Sequence, residues 1–516
     1  MTTDAGYDAR AFQTLQSRLI QLWPNMTFRT TDGPPRTILV ISSLSLDLPR
    51  SLAPLVTAYE ERYLCLVLLL AKARKTRVVY VTSQPMLPRL VDYYLDLIPG
   101  VDRNELRERL TVVSLSDNSF RPLTQKILER PRVVQRLRSA LQGNGRDLML
   151  PFVTSELEAR LALELQIPVY GPDPGLASLG TKTGSRAVFT AAGVALPVGV
   201  DGVRDERDLA SAVEEIHTKT GARKFIVKTD EGVSGLGNAI VELSDGEDIK
   251  DFAAAVRRLA CEDEELDSDS YLELLSKHGG VVEEFLAADE VTSPSVQLRA
   301  SPLGEVEILS THDQILGGPN GQTYIGCRFP ADPAYATALV EPSLAIGREL
   351  SSRGVFGRFA IDYVAAKNVK DSDDQWRCSA VEINLRNGGT THPALTLQAL
   401  TDASYEPEQA QLVSRGSRKH YLATDHMHHP SFSSLTPDDL LDIVEENGLG
   451  WDDETQTGVA FHMASAIAVA GDVGVTAIAD SPRQSQWLYD AAKHALIGAT
   501  ADPEQIPHSP EEERGN

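Results

Sequence analysis

The chain has 516 residues, 42% hydrophobic and 24% charged, a folded composition too long for one ordinary core and suited to roughly two to four domains. Its net charge of −24, from 49 basic and 73 acidic residues, repels polyanions and argues against a nucleic-acid surface. A small anion can still bind where a few cations converge. Cys65, Cys261, Cys327 and Cys378 are scattered without metal-like spacing, which points to a reduced, cytoplasmic setting. The polar start MTTDAGYDAR is no signal peptide, and the most apolar run, YLCLVLLLA at 63–71, is too short to cross a bilayer, so no membrane partner is expected.

In chain order, RTILVISS (36–43) reads as a buried strand, 52–74 as a helix, RVVYVTS (77–83) as a strand and LPRLVDYYLDLIPG (87–100) as a helix. LTVVSLS (110–116) and RDLMLPFVT (146–154) add two strands. This alternation predicts an α/β domain with a parallel sheet covered on both faces. The turn after the first strand, SSLSLDLP, lacks the GxGxxG of a dinucleotide site, so an oxidoreductase built on this sheet is disfavoured. Further on, the acidic run CEDEELDSDS (261–270) reads as a solvated loop. HYLATDHMHHP (420–430), with His420, His426, His428 and His429, reads as a solvated or substrate-contacting loop, because no cysteine or second cluster completes a zinc site. Thr436 and Pro437 open a helix that stops at Gly448, and the residues from Ala501 read as a mobile tail.

Three segments carry chemistry. In VEINLRNGGTTHP (381–393), strand alternation puts Glu382 and Asn384 on one side. GVFGRFAIDYVAA (354–366) reads as a strand ending near Asp362, which a neighbouring strand would bring beside Glu382. Three oxygen-bearing side chains suit magnesium; the plain alternative is a solvated edge with an ordinary acidic pair. KFIVKTDEGVSGLGNAIVEL (224–243) is strand, glycine-rich turn, strand, with Lys228 at the end of the first strand. Its loop, holding Gly235 and Gly237, can fold over phosphates, or it is a long hairpin turn. VVEEFLAADEV (281–291) runs apolar residues into Glu283 and Glu284, with Glu290 seven after Glu283: a nucleoside-binding edge or a solvated surface strand. His392 lines an acyl pocket, takes a proton, or merely bonds to backbone. Arg358 meets a phosphate, a substrate carboxylate or a surface acid. His462, in an apolar stretch, is most simply a hydrogen-bonded core residue.

In this order the segments resemble the ATP-grasp superfamily of carboxylate–amine ligases over 176–400. The resemblance implies ATP and Mg2+ as cofactors, with Asp362, Glu382 and Asn384 as metal ligands. It implies nucleotide contacts from Arg186, Lys182, Lys228, Gly235, Gly237, Glu283, Glu284, Leu286 and Glu290. Arg386, with Lys228, Arg358 and His392 as further catalytic candidates, would face the transferred phosphate or the acyl group. Arg186 stands where the family usually has lysine, and Leu385 where it usually has proline. The opening domain, IPVYGPDPGLASLGTKTGSR (167–186) and GVAFHMASAIAVAGDVGVTAIADS (458–481) are similar to pheganomycin-type peptide ligases. That likeness implies a pre-ATP-grasp domain at 1–175, an ATP-grasp domain of two α+β subdomains at 176–400, a small C-terminal α/β domain at 401–500 and the tail at 501–516. The partners it implies are a small carboxylic acid, an amino acid or peptide amine, and a second copy in a homodimer. The expected reaction is amide formation through an acyl-phosphate. A different acceptor, a kinase-like half reaction and a nucleotide-binding protein without turnover remain alternatives.

Overall fold

The computed structural model describes residues 6–25, 34–98, 100–232, 235–243, 251–368 and 375–500. The proposed tail at 501–516 lies outside them. Strands β1 (Arg36–Ile41), β2 (Thr76–Thr82), β3 (Leu110–Ser114) and β4 (Leu148–Pro151) form a parallel sheet in the order β3-β2-β1-β4. Every residue of β1 is buried, which explains why its sequence is an apolar run rather than an alternation.

The expected helix over 52–74 is instead broken: 3-10 turns at Arg50–Leu55 and Arg62–Leu68 flank the short helices Val56–Glu61 and Leu69–Lys72. Arg62–Leu68 is buried on all sides, so side chains must fit neighbours all round and no single helical face is selected.

A second sheet is antiparallel. It contains β5 (Gly199–Val203), β6 (Lys224–Thr229), β7 (Asn238–Glu242), β8 (Ala260–Cys261) and β9 (Gly280–Glu284), in the order β5-β9-β6-β7-β8. The acidic run after β8 is not wholly solvated. Buried Glu262 accepts bonds from Asn320 N (3.0 Å), Gln322 N (3.1 Å) and Thr323 Oγ1 (2.7 Å), and Asp267 caps the helix Ser268–His278. A buried carboxylate needs such donors, and backbone amides of a distant loop supply them.

The third sheet holds β10 (Glu290–Thr292), β11 (Pro294–Ala300), β12 (Val306–Gly317), β13 (Thr323–Phe329), β14 (Gly357–Lys367) and β15 (Arg377–Asn384). A small separate sheet, β16 (Tyr405–Glu406), β17 (Gln411–Ser414) and β18 (Ser417–Arg418), precedes β19 (His420–His428), β20 (Gly458–His462) and β21 (Asp472–Ala479). Through the β13–β19 pairing the last three strands extend the third sheet. The histidine-rich 420–428 is therefore a largely buried strand and not a loop: alternating apolar residues such as Tyr421 and Met427 carry it into the core. The helix Pro437–Glu446 starts as expected, with a capping box between Thr436 and Asp439.

Candidate active site

Strands β14 and β15 pair antiparallel with Asp362 directly opposite Glu382 and Ala360 opposite Asn384. β14 continues past Asp362 to Lys367, so Asp362 sits mid-strand and not at a strand end as expected. The register slips by one residue just after this pair, between Asp362 and Tyr363, a bulge of the kind that re-aims side chains. Asn384 Nδ2 donates to Asp362 Oδ2 at 3.0 Å, and Lys182 Nζ lies 2.5 Å from Glu382 Oε1. Burial, and then the charge of Glu382, pushes the Asp362 carboxyl up to about 6. Burial also raises Glu382, but Lys182 and Arg386 override it and hold that carboxyl below the usual range. Two close carboxylates, one repelled and one already drawing an ammonium, form a donor set that a hard cation fits.

Across the cavity, β6 and β9 are register neighbours, and their ends present Lys228 and Glu283. Lys228 Nζ lies 2.6 Å from Glu283 Oε2, and Arg186 Nη1 lies 2.5 Å from Glu283 Oε1. Arg186 also pairs with Asp201 and donates to the Pro197 carbonyl at 3.0 Å. Glu283 is only 1% exposed, so both cations are needed to make its burial tolerable. Arg186 comes from the helix Lys182–Ala192, capped by Thr181 and tied to β15 where Ile383 N donates to Ser185 Oγ at 3.0 Å. Glu284 N donates to the Val198 carbonyl at 2.9 Å, whereas the Leu286 N–H has no backbone partner among the described residues.

These groups converge on a cavity of about 230 Å³. Lys228, Gly235, Glu283, Glu284, Leu286, Asp362, Glu382, Asn384 and Arg386 all line it. Gly237 is buried just behind, against Thr229. Lys182 and Arg186 reach it through their ion pairs with lining acids. Gly235 has φ of +84°, and a Cβ there would stand 2.1 Å from the Gln322 carbonyl oxygen, so the glycine loop lies against the 318–323 loop that Glu262 ties down.

Three candidates lie elsewhere. Glu290 opens β10 and is exposed. Arg358 lines a second, larger cavity. His392 lies in neither cavity wall and is buried in the core. Its Nε2 is 2.9 Å from His462 Nε2 and 3.4 Å from Asp425 Oδ1, and Arg62 pairs with Asp425 at 2.8 Å. Burial, and then His462, pushes the His392 imidazole down to about 3, so it stays neutral there. Sequence reading missed Ser295, Gln297 and Tyr324, which also line the smaller cavity. Only Gly389 hinted at Tyr324: a Cβ at 389 would come within 2.5 Å of that ring.

Residues 69–167 match the model of the Pre ATP-grasp domain, 246–397 that of the IQCH-like ATP-grasp domain and 439–491 that of the PGM1 C-terminal domain. The chain is 30% identical over 488 residues to the L-propargylglycine–L-glutamate ligase of Streptantibioticus cattleyicolor, covering 91% of this chain and 96% of that one. It is 25% identical over 430 residues to IQ motif-containing protein H of Danio rerio, covering 73% of this chain and 40% of that longer one. Biotin carboxylase of Campylobacter jejuni shares the fold, with a TM-score of 0.53 at 13% identity over 91% of this chain and 95% of that one. So does an N5-carboxyaminoimidazole ribonucleotide synthetase, with a TM-score of 0.52 at 12% identity over 90% of this chain and 97% of that one. The chain belongs to the ATP-grasp carboxylate–amine ligases, ATP-dependent enzymes that form C–N bonds, and within them to the pheganomycin-type peptide ligases.

Proposed function

We propose that this protein activates the carboxylate of one small acid with ATP and magnesium, and joins it to the amine of an amino acid or peptide. The observation that carries the reading is the convergence of Asp362, Glu382 and Asn384 with Lys228, Glu283 and Arg386 on one cavity. Asp362, Glu382 and Asn384 would hold magnesium, which when bound would neutralise charge on the ATP phosphates. Lys182 and Lys228, whose ammonium groups each carry donors beyond the one on Glu382 or Glu283, would meet phosphate oxygens from where they stand. Leu286 offers a free N–H for a nucleobase, and Glu283 and Glu284 accept from its amino group and from nearby donors. Arg386 offsets charge on the transferring phosphoryl group and on the acyl oxygen.

The acid's oxygen attacks the γ-phosphorus and ADP leaves. The amine then attacks the acyl carbon of the acyl-phosphate, loses a proton, and expels phosphate to leave an amide. The loop bearing Gly235 shields that intermediate from water. Among the described residues no cysteine lines this cavity, Ser293 and Ser295 are its serines, and the chemistry needs no nucleophile from the chain.

The relative's substrates, L-propargylglycine and L-glutamate, set the class to try first: α-amino acids and their short peptides. The proposal keeps the modules 1–175, 176–400, 401–500 and 501–516. It also includes a homodimer and a cytoplasmic setting, in which the four free thiols stay reduced. No helix among the described residues is long and apolar enough to cross a membrane.

The test is ADP and phosphate release across paired amino acids and short peptides, with mass spectrometry of the products. Release that needs both partners, requires magnesium and falls about 10²–10³-fold in Glu382→Ala supports the ligase. Release with the acid alone points to a kinase-like step. Full magnesium-dependent activity in Glu382→Ala rejects the metal assignment.

A further inference from the structure

Outside both cavities, side chains from three separate elements bring their polar atoms together in the core. His392 lies in the first turn of the helix Thr391–Thr401, Asp425 in β19 and His462 at the end of β20, and all three are buried. His462 Nε2 is 2.9 Å from His392 Nε2 and 2.8 Å from Asp425 Oδ1, and His392 Nε2 is 3.4 Å from the same oxygen. Ligands held about 2.0–2.1 Å from one cation stand roughly 3 Å from each other, which is the spacing of this triangle.

Hydrogen bonding alone does not satisfy the three atoms. An imidazole carries at most one proton on Nε2. If His462 gives that proton to Asp425, none is left for its contact with His392. If His392 donates to His462 instead, His462 Nε2 meets Asp425 Oδ1 lone pair against lone pair. One cation at the meeting point takes a lone pair from each atom. Arg62 leaves room for it, because its Nη1 donates to Asp425 Oδ2 at 2.8 Å and Oδ1 is left to the histidines. The Arg62 guanidinium also stands 4.4 Å from the Tyr59 ring centroid and 5.4 Å from that of Phe152, aromatic faces that offset part of its charge. An outer partner of this kind fixes a ligating carboxylate in place.

The backbone departs from regularity around the two ligands from the last strands. The β19–β21 register slips between Thr424 and Met427, which sets Asp425 in a bulge. His462 stands opposite Gly474, where any Cβ would collide with the imidazole ring. Met463, the next residue, has a left-handed φ of +53°, a costly conformation for a side chain of that size. Such departures gather at functional sites, and an apolar core would need none of them. The histidine-rich stretch 420–430 contributes its aspartate to the triangle, while His420, His426, His428 and His429 stand outside it.

We propose that His392, Asp425 and His462 bind one divalent transition-metal ion of the zinc class. Two imidazole nitrogens and one carboxylate oxygen suit such an ion, whereas magnesium takes oxygen alone. Three protein ligands leave a tetrahedral ion one position for water. The ion acts as a structural tie. His392 follows Gly388, Gly389 and Thr390, which line the nucleotide cavity, so the ion anchors that stretch to β19 and β20. The site is separate from the proposed magnesium ligands and does not depend on the ligase reading.

The test uses the full-length protein without a histidine tag, stripped with a chelator, loaded with zinc, dialysed and assayed for metal by elemental mass spectrometry. Wild type should retain one zinc per chain. His392→Gln and His462→Gln should each bind zinc at least about 100-fold more weakly, beyond the roughly 10–100-fold that loss of an outer partner costs. Glu382→Ala, which removes a proposed magnesium ligand, and His428→Ala, which removes an exposed imidazole, should retain the zinc. Zinc should also raise the melting temperature of the stripped wild type and leave that of the two glutamine variants unchanged. A wild type that holds no zinc overturns the proposal. So does retention by both glutamine variants, or loss in Glu382→Ala or His428→Ala. Should the glutamine variants not fold, zinc-edge X-ray absorption of the loaded wild type decides: two imidazole scatterers support the site, and fewer overturn it.

Discussion

Asp362 illustrates how a proposed metal ligand opposes stability. Burial and the neighbouring Glu382 lift its carboxyl to about 6 from the ordinary 3.8. The folded state therefore holds this proton more tightly than the unfolded chain does. The stabilisation it brings is complete below the unfolded value and is lost as pH rises through about 6. At pH 7 the ionised pair is a cost, so Asp362→Asn should raise the melting temperature of the metal-free protein by ~2–4 °C and abolish ligation. Calorimetry at pH 7 and at pH 4.5 checks the sign, because the gain should shrink at the lower pH. The placement of these residues was legible from sequence: alternation along one strand placed Glu382 with Asn384, and the register pairs Asp362 with Glu382. Which cation each acid meets was not legible. Lys182 and Glu382 are 200 positions apart in the chain, and only the packing of the helix Lys182–Ala192 on β15 joins them.

At the scale of elements, the glycine hairpin is tied to a distant loop. The β6–β7 connection places Gly235 against the Gln322 carbonyl, and buried Glu262 holds the loop that carries Gln322. The sequence 224–243 announces a flexible turn, but the acidic run at 261–270 gives no sign that one of its acids is buried, since composition reports average solvation and not the fate of a single carboxylate. Gly235→Ala would meet both a left-handed backbone and a backbone oxygen, so the loop must shift. ATP hydrolysis uncoupled from ligation should rise relative to amide formation, by about tenfold or more, as the acyl-phosphate meets water. The ratio of phosphate released to amide formed measures this. The helix Pro437–Glu446 was fully legible for the contrary reason: its cap, first-turn proline and stop are local signals.

Over the whole molecule, the N-terminal module is locked to the C-terminal strands by polar contacts at the bottom of an apolar interface. Arg62 pairs with Asp425 at 2.8 Å, Ser465 N donates to Glu61 at 3.1 Å, and Tyr94 Oη donates to the Phe461 carbonyl at 2.7 Å. Burial raises the Asp425 carboxyl, but Arg62 and the two imidazoles override it and hold the group well below the usual range. Asp425→Asn leaves Arg62 buried without its counter-charge and should cost about 3–5 kcal/mol, read as a lower denaturant midpoint.

Taken by itself, the sequence determined whatever depends on near neighbours: the parallel sheet of the first module, helix caps, the glycine hairpin, and the alternation that sets Glu382 beside Asn384. Periodicity and capping act over a few residues and leave a readable trace. The tertiary structure alone decided that His392 is a neutral core residue beside His462 and Asp425, that 420–428 is a strand in the third sheet, and that Arg358 faces a second cavity. Those outcomes depend on which distant surfaces are buried together, and burial changes the cost of a charge by more than any local preference can encode.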